Sequence, residues 1–166
     1  MIPSLAPVTV QPGKVSGVSN ARNGFFGIRI WSHAEVFAGV LAQERYEWAF
    51  KWRILIAAAA VPLTLALLLD PWLGLFVLFA PLVTRVPAVL RCMELRGHAI
   101  EVAVAVKHYG KDRDGYERDE AEVLSAYYDS FDGRGPDEIY ADMKALYRWA
   151  DKWADSHGGM IRKDMP

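Results

Sequence analysis

The chain has 166 residues, of which 52% are hydrophobic and 23% are charged, and its formal net charge is −1. A chain of this length can bury a core of its own as one domain. Its single cysteine, Cys92, excludes a disulfide framework and a cysteine-based zinc cage within one chain. The near-neutral charge argues against a protein that binds nucleic acid through a strongly basic surface, so no nucleic-acid partner is expected.

The N-terminal residues 1–23 are rich in Pro, Gly, Ser and Asn, which predicts an extended arm with at most one strand. They contain no basic stretch followed by an apolar one, so they are not typical of a signal peptide. We therefore expect the protein in the cytoplasm or in a virion, with the cytoplasmic face of a membrane as a further location.

A short strand and a capped helix are predicted next. The run from Phe25 to Trp31 is aromatic and β-branched, which is typical of a strand. Ser32 and Glu35 match a capping box, so a helix is expected to begin there. Its apolar face is interrupted by one carboxylate, Glu44.

Two uncharged apolar segments flank the dipeptide Asp70-Pro71 and predict a helical hairpin over residues 54–83. Each arm is shorter than the roughly 30 Å hydrocarbon core of a bilayer. Basic residues stand at both open ends of the hairpin: Lys51, Arg53, Arg85 and Arg91. They would keep both ends on the cytoplasmic side of a membrane. Two interpretations remain open, since the hairpin either contacts a membrane or is buried in a soluble or oligomeric protein.

Three helices are predicted after the hairpin, over residues 89–108, over 116–128, and from Pro136 to the pair Gly158-Gly159. The fold is therefore expected to be α+β and mostly α. It would contain a small N-terminal β element, a capped helix, a central apolar helical hairpin and a helical C-terminal half. The predicted regions are an arm over 1–23, a helical core over 24–110 and an acidic helical region over 111–166.

Acidic side chains and one histidine cluster on the two helices that flank the hairpin. Glu44 and Glu47 lie about one turn apart, and so do Glu94, His98 and Glu101. A hairpin brings its two flanks together, so these groups should face each other. Carboxylates packed so closely are costly without a cation, which indicates a candidate metal site. The alternative is that they are solvated faces, with Glu47 paired to Lys51 four residues later.

The segment Gln43-Glu44-Arg45-Tyr46-Glu47 can be aligned with the HExxH motif, and Glu94-Leu95-Arg96-Gly97-His98 with ExxxD. Together with the order of segments, this resembles the gluzincin metallopeptidases of the membrane-linked kind and the small bacterial and phage-encoded proteins that share their plan. The resemblance covers residues 25–107, about half the chain. It implies a zincin-like core, with Glu44 as general base and Glu94 as the third zinc ligand.

Gln43 and Glu47 then occupy the positions of the two zinc-binding imidazoles, and His98 stands where the family has an aspartate. Neither side chain replaces an imidazole well as a ligand for Zn²⁺. The resemblance therefore implies a degenerate, non-catalytic relative. We expect no cofactor, with zinc or another divalent metal at Glu47, Glu94, His98 and Glu101 as the alternative.

The sequence thus favours a non-catalytic interaction or structural protein on a degenerate metallopeptidase-like scaffold, and a phage or virion-assembly component is compatible with it. Two alternatives stay open: a small membrane-hairpin accessory subunit, and a hydrolase with a weak carboxylate metal site. A protein partner or self-association is expected. The candidate interface is an aromatic set in the C-terminal region: Tyr140, Tyr147, Trp149 and Trp153.

Overall fold

The computed structural model describes residues 6–11, 21–24, 26–31 and 37–164. Three strands come first, β1 (Val8–Gln11), β2 (Ala21–Gly24) and β3 (Gly27–Trp31). Seven α-helices follow: α1 (Phe37–Leu68), α2 (Ala80–Val83), α3 (Pro87–Tyr109), α4 (Arg113–Tyr127), α5 (Pro136–Ala145), α6 (Tyr147–Ser156) and α7 (Gly158–Asp164). Short 3₁₀ helices cover Pro71–Phe79 and Asp129–Phe131. This content confirms an α+β fold that is mostly α.

The N-terminal sheet has the strand order β1-β3-β2, with β1 parallel and β2 antiparallel to the central strand β3. Ile28 and Ile30 of β3 are buried against Leu41 and Trp48 of α1. The prediction of at most one strand within residues 1–23 was wrong, because β3 pairs with a strand on each side and both partners begin in that arm. The predicted capping box at Ser32 and Glu35 lies outside the described residues.

The predicted hairpin is present, and its turn lies at Asp70 and Pro71. The Asp70 carboxylate accepts a hydrogen bond from the backbone N–H of Trp72 at 3.0 Å, and Pro71 occupies the first position of the 3₁₀ helix. The outgoing arm is the second half of α1. The returning arm consists of this 3₁₀ helix followed by α2, which the apolar pattern did not distinguish from a continuous α-helix.

The hairpin is exposed along almost its whole length. Ala80 is the one buried residue between positions 54 and 83. Leu67, Trp72 and Leu78 are 88%, 76% and 76% exposed, which is unusual for large apolar side chains. The hairpin is therefore not buried within its own chain, and any cover for it must come from outside the described part of the protein.

The C-terminal helices pack onto α1 and α3 in two apolar clusters. One joins α1 and α3 to α6 and α7 and includes Tyr46, Ile100 and Ile161. The other joins α3 to α4, α5 and the 3₁₀ turn, with Leu124 and Phe131 fully buried. The acidic region from residue 111 to 164 therefore shares its core with the two helices that flank the hairpin.

The prediction of one helix from Pro136 to Gly158-Gly159 was wrong, because the helix is interrupted at Leu146 and at His157. Gly158 begins a further helix, α7, instead of ending the last one. The His157 carbonyl accepts hydrogen bonds from the N–H groups of Met160 and Ile161 at 2.9 and 3.0 Å. This extra turn carries Ile161 into the core, where it is fully buried.

Replacing Gly97 with alanine should destabilise the contact between α1 and α3. A Cβ atom there would lie 2.6 Å from Glu47 Oε1 and 3.0 Å from Gln43 Cγ, and both side chains are buried. We expect Gly97→Ala to lower the free energy of unfolding by about 1–3 kcal/mol. Urea unfolding followed by circular dichroism, in a mild detergent that covers the hairpin, measures this.

The matched control is Gly159→Ala on α7, where a Cβ would meet nothing within 4 Å. It should leave stability unchanged or raise it slightly, because alanine is the better helix former. Equal losses in the two variants would contradict close α1–α3 packing at Gly97.

Candidate metal centre

Three helices bring carboxylates and one imidazole together. The five side chains predicted from the sequence all lie where α1 and α3 pack, and α4 adds Glu120. Glu44, Glu47, His98 and Glu101 are 8%, 3%, 4% and 5% exposed. The one-turn spacing places the residues of each helix on one face, and the hairpin places α3 beside α1. The interpretation of these groups as solvated faces is therefore wrong for the four buried ones.

His98, Glu101 and Glu120 form the tightest group in this cluster. Each offers one ligand atom, and these atoms all lie within 4.8 Å of one another. His98 Nδ1 is 2.5 Å from Glu120 Oε2. The Tyr116 hydroxyl donates to Glu101 Oε1 at 2.7 Å, which orients that carboxylate. One nitrogen and two carboxylate oxygens form a donor set that can hold a divalent cation.

Burial and mutual repulsion hold protons on this cluster. Burial, together with the charges of Glu120 and Glu44, raises the pKa of Glu101 to about 8. Burial and the charges of Glu47 and Glu44 raise the pKa of Glu94 to about 8 as well. At neutral pH both carboxyl groups therefore carry a proton in the metal-free protein.

The imidazole of His98 carries a positive charge in the metal-free cluster. Burial opposes that charge, but the hydrogen bond to Glu120 and the charges of Glu120 and Glu101 outweigh it and raise the pKa of His98 to about 10. The protonated ring then donates from Nδ1 to Glu120 and from Nε2 to the Tyr128 hydroxyl, 3.3 Å away. Burial and the surrounding carboxylates raise the pKa of Tyr128 in turn, so its hydroxyl stays protonated.

Two side chains of the segment aligned with HExxH are hydrogen-bonded to each other. Gln43 Nε2 donates to Glu47 Oε1 at 2.9 Å, and both residues are buried. Glu94 is close enough to Glu47 for the two charges to influence each other. Gln43, Glu47 and Glu94, which align with the family's two zinc-binding imidazoles and its third ligand, thus lie together at the α1–α3 contact. Their side chains are one amide and two carboxyl groups instead of two imidazoles and one carboxyl group. The imidazole of the cluster comes from α3 instead, as His98.

Glu120, Tyr116 and Tyr128 surround His98 and Glu101 but were not predicted as site residues. The sequence pattern of residues 116–128 indicates a charged amphipathic helix. A stripe of buried residues, Glu117, Ala121 and Leu124, follows the spacing of one helix face, and Glu120 lies beside it. The available signal was therefore the position of Glu120 next to the core-facing side of the helix.

The four aromatic residues of the predicted partner interface make contacts within the chain. The Tyr140 hydroxyl donates a hydrogen bond to Asp114, and the Tyr147 hydroxyl donates one to Glu117. The rings of Trp149 and Trp153 pack edge-on against Tyr46, with centroids 5.5 and 6.1 Å apart. Their role toward a partner stays a prediction.

Replacing Tyr147 with phenylalanine should destabilise the packing of α6 on α4. Glu117 is 1% exposed, so the variant leaves a buried carboxyl group without the hydroxyl that bonds to it. We expect a loss of about 1–3 kcal/mol in the free energy of unfolding. Tyr127→Phe is the control, since Tyr127 is 65% exposed, and it should change stability little. A loss as small as that of the control would argue against a stabilising Tyr147–Glu117 bond.

Comparison with known proteins gives no match: no family model, no curated protein and no solved structure is similar to the chain. The site must therefore be interpreted from its own geometry.

The metal-free protein should lose stability as the pH rises. Glu94, Glu101 and His98 all have a higher pKa in the folded protein than their ordinary values, so the folded state binds protons more tightly than the unfolded chain. Their stabilising contribution is present at low pH and is lost as the pH rises through about 8 for the carboxyl groups and about 10 for the imidazole. The midpoint of thermal unfolding, measured in a chelating buffer, should be lower at pH 9 than at pH 6.

Glu101→Gln removes one of these titrations and should reduce the difference between the two pH values. The exposed Glu122→Gln on α4 is the control and should show the same difference as the unchanged protein. A midpoint that is flat or rises between pH 6 and pH 9 would contradict protonated carboxyl groups in the cluster.

Proposed function

We propose that the chain is a non-catalytic interaction or structural protein on a degenerate zincin-like scaffold, in which the carboxylate–imidazole cluster holds a divalent cation as a structural centre. The observation that carries this proposal is the convergence of α1, α3 and α4 on one buried group of acids around His98. The cation would join α3 to α4 through His98, Glu101 and Glu120 and would offset the charge of the α1 carboxylates beside them, and so would stabilise the surface that these helices present to a partner.

A cation suits the charge of this cluster. Five carboxyl groups lie near one another, and His98 and Lys51 are among the positive groups that act on them. Buried acids at such distances must be protonated or paired with positive charge. A divalent ion would replace the protons on Glu101 and His98, which is how cation binding competes with protonation at such sites. A mixed nitrogen and oxygen donor set suits Mn²⁺, Fe²⁺ or Zn²⁺.

The donor set also supports a non-catalytic role. Zinc hydrolases of the HExxH type use two imidazoles one helical turn apart to hold the metal beside the general base. Here the corresponding side chains, Gln43 and Glu47, are bonded to each other. Among the described residues, Glu44 therefore has no pair of imidazoles beside it that would hold a metal-bound water, so we assign it an electrostatic role in the cluster.

Metal content tests this proposal. The full chain, purified in mild detergent, would be dialysed against Mn²⁺ and then against metal-free buffer, and its metal measured by elemental mass spectrometry. We expect about one ion per chain and a higher midpoint of thermal unfolding with Mn²⁺ than with chelator. Glu120→Gln should weaken binding by roughly tenfold or more, because Glu120 contacts His98 directly.

Glu122→Gln, on the same helix but exposed, is the matched control and should bind as the unchanged protein does. Two results would contradict the proposal. One is the absence of a stoichiometric ion, or an ion that Glu120→Gln does not affect. The other is peptide hydrolysis by the metal-loaded protein that Glu44→Gln abolishes, which would make the chain an enzyme.

A further inference from the structure

The hairpin over residues 54–83 exposes large apolar side chains on both of its arms. At the end of α1 and at the residue that follows it, six large apolar side chains are exposed on the faces that do not pack against the returning arm: Val61, Leu63, Leu65, Leu67, Leu68 and Leu69. A second protein copy would cover one face of such a hairpin. Exposed apolar faces on both arms favour an apolar medium around the hairpin.

The two arms of the hairpin have about the same length. The 16 residues from 54 to 69 extend roughly 24 Å as an α-helix. The nine residues of the 3₁₀ helix extend roughly 18 Å, and the four of α2 add roughly 6 Å, so the returning arm is also roughly 24 Å long. With Lys51, Arg53 and Arg85 reaching the headgroups from the base, this length brings the tip at Asp70 and Trp72 close to the opposite interface of a roughly 30 Å core.

The hairpin forms helical and local hydrogen bonds with most of its polar groups, as a bilayer favours, although Pro62 inside α1 has no N–H to donate. Its backbone is helical in both arms, and the Asp70 carboxylate accepts from the Trp72 N–H at the tip. The hydroxyl of Thr64 donates to the Ala60 carbonyl one turn earlier at 2.9 Å. Asp70 is the one charged residue between positions 54 and 83, and it lies at the tip.

The base of the hairpin is basic on both arms. Lys51 and Arg53 stand where α1 leaves the folded domain, and Arg85 stands where the returning arm re-enters it. Anionic lipid headgroups attract such residues. Trp52 lies between Lys51 and Arg53, at the level where tryptophan side chains favour the membrane interface.

A cleft of about 410 Å³ opens between the two arms. All of its lining residues are apolar, among them Val61, Leu65, Phe76 and Phe79. Water would gain few hydrogen bonds from such a lining, whereas lipid acyl chains would fill the cleft without burying an unpaired polar group.

From these features we infer that residues 54–83 insert into a bilayer that contains anionic phospholipid. Both arms enter from the side of the folded domain, and the tip at Asp70 and Trp72 lies near the opposite interface. The folded domain, including the carboxylate cluster, stays in water on one side. This inference is independent of metal binding, since the hairpin and the cluster share no side chain.

Vesicle flotation tests the insertion. The full chain would be reconstituted by detergent removal into vesicles of phosphatidylcholine and phosphatidylglycerol at about 3:1, washed with alkaline carbonate, and floated on a density gradient. We expect the protein to float and to resist the wash. The double variant Leu67→Glu with Leu78→Glu should reduce the floated fraction by roughly tenfold or more, because two carboxylates would enter the hydrocarbon core.

The matched control is Phe26→Glu with Tyr127→Glu, two residues that are 95% and 65% exposed but lie outside the hairpin. It should float like the unchanged protein. A detergent-free protein that elutes as a discrete oligomer and does not float would overturn the inference in favour of self-association. Equal flotation of the hairpin variant and the control would overturn it as well.

The lipid charge is tested with vesicles of phosphatidylcholine alone. We expect weaker flotation than with phosphatidylglycerol present, and Arg53→Gln with Arg85→Gln should remove most of that difference. Arg118→Gln, an exposed arginine on α4, is the control and should retain it. Equal flotation of the unchanged protein with both lipid mixtures would overturn the anionic preference.

Discussion

The buried negative charge between α1, α3 and α4 is the constraint on which the rest of the structure depends. Carboxyl groups from three helices meet around His98, and burial raises the cost of leaving them ionised. The protein must supply protons or a cation to keep these helices together. Tyr116 and Tyr128 also stabilise the cluster, because the Tyr116 hydroxyl is hydrogen-bonded to Glu101 and the Tyr128 hydroxyl to His98.

Helix α1 is one continuous helix with a buried part and an exposed apolar part. Its first turns are buried against the sheet and the C-terminal helices, whereas its last turns expose leucines on the faces that do not pack against the returning arm. Glu47 and position 54 are seven residues apart, which is roughly 10 Å along the helix. If the hairpin inserts as proposed, the cluster lies close to the membrane surface, with Lys51 between the two.

The sequence alone predicted the features that depend on local pattern. These include the turn at Asp70-Pro71, the fold class, and the placing of Glu44, Glu47, Glu94, His98 and Glu101 on facing helices. Glu120 was not predicted, because its approach to His98 depends on how α4 packs against α3 across a turn. A second strand in the N-terminal arm was missed for a similar reason, since β1 and β2 both pair with β3, which lies further along the chain. Whether the hairpin is buried in its own chain could be decided only from the packed structure, because an apolar run looks the same in a core and in a bilayer.

The competition between protons and a cation can be measured directly. Mn²⁺ would be titrated calorimetrically into the metal-free protein at pH 7, in two buffers that differ in ionisation enthalpy. Because the pKa of Glu101 is about 8 and that of His98 about 10, the account predicts the release of roughly two protons for each ion bound. Binding without proton release, or no binding at all, would contradict it.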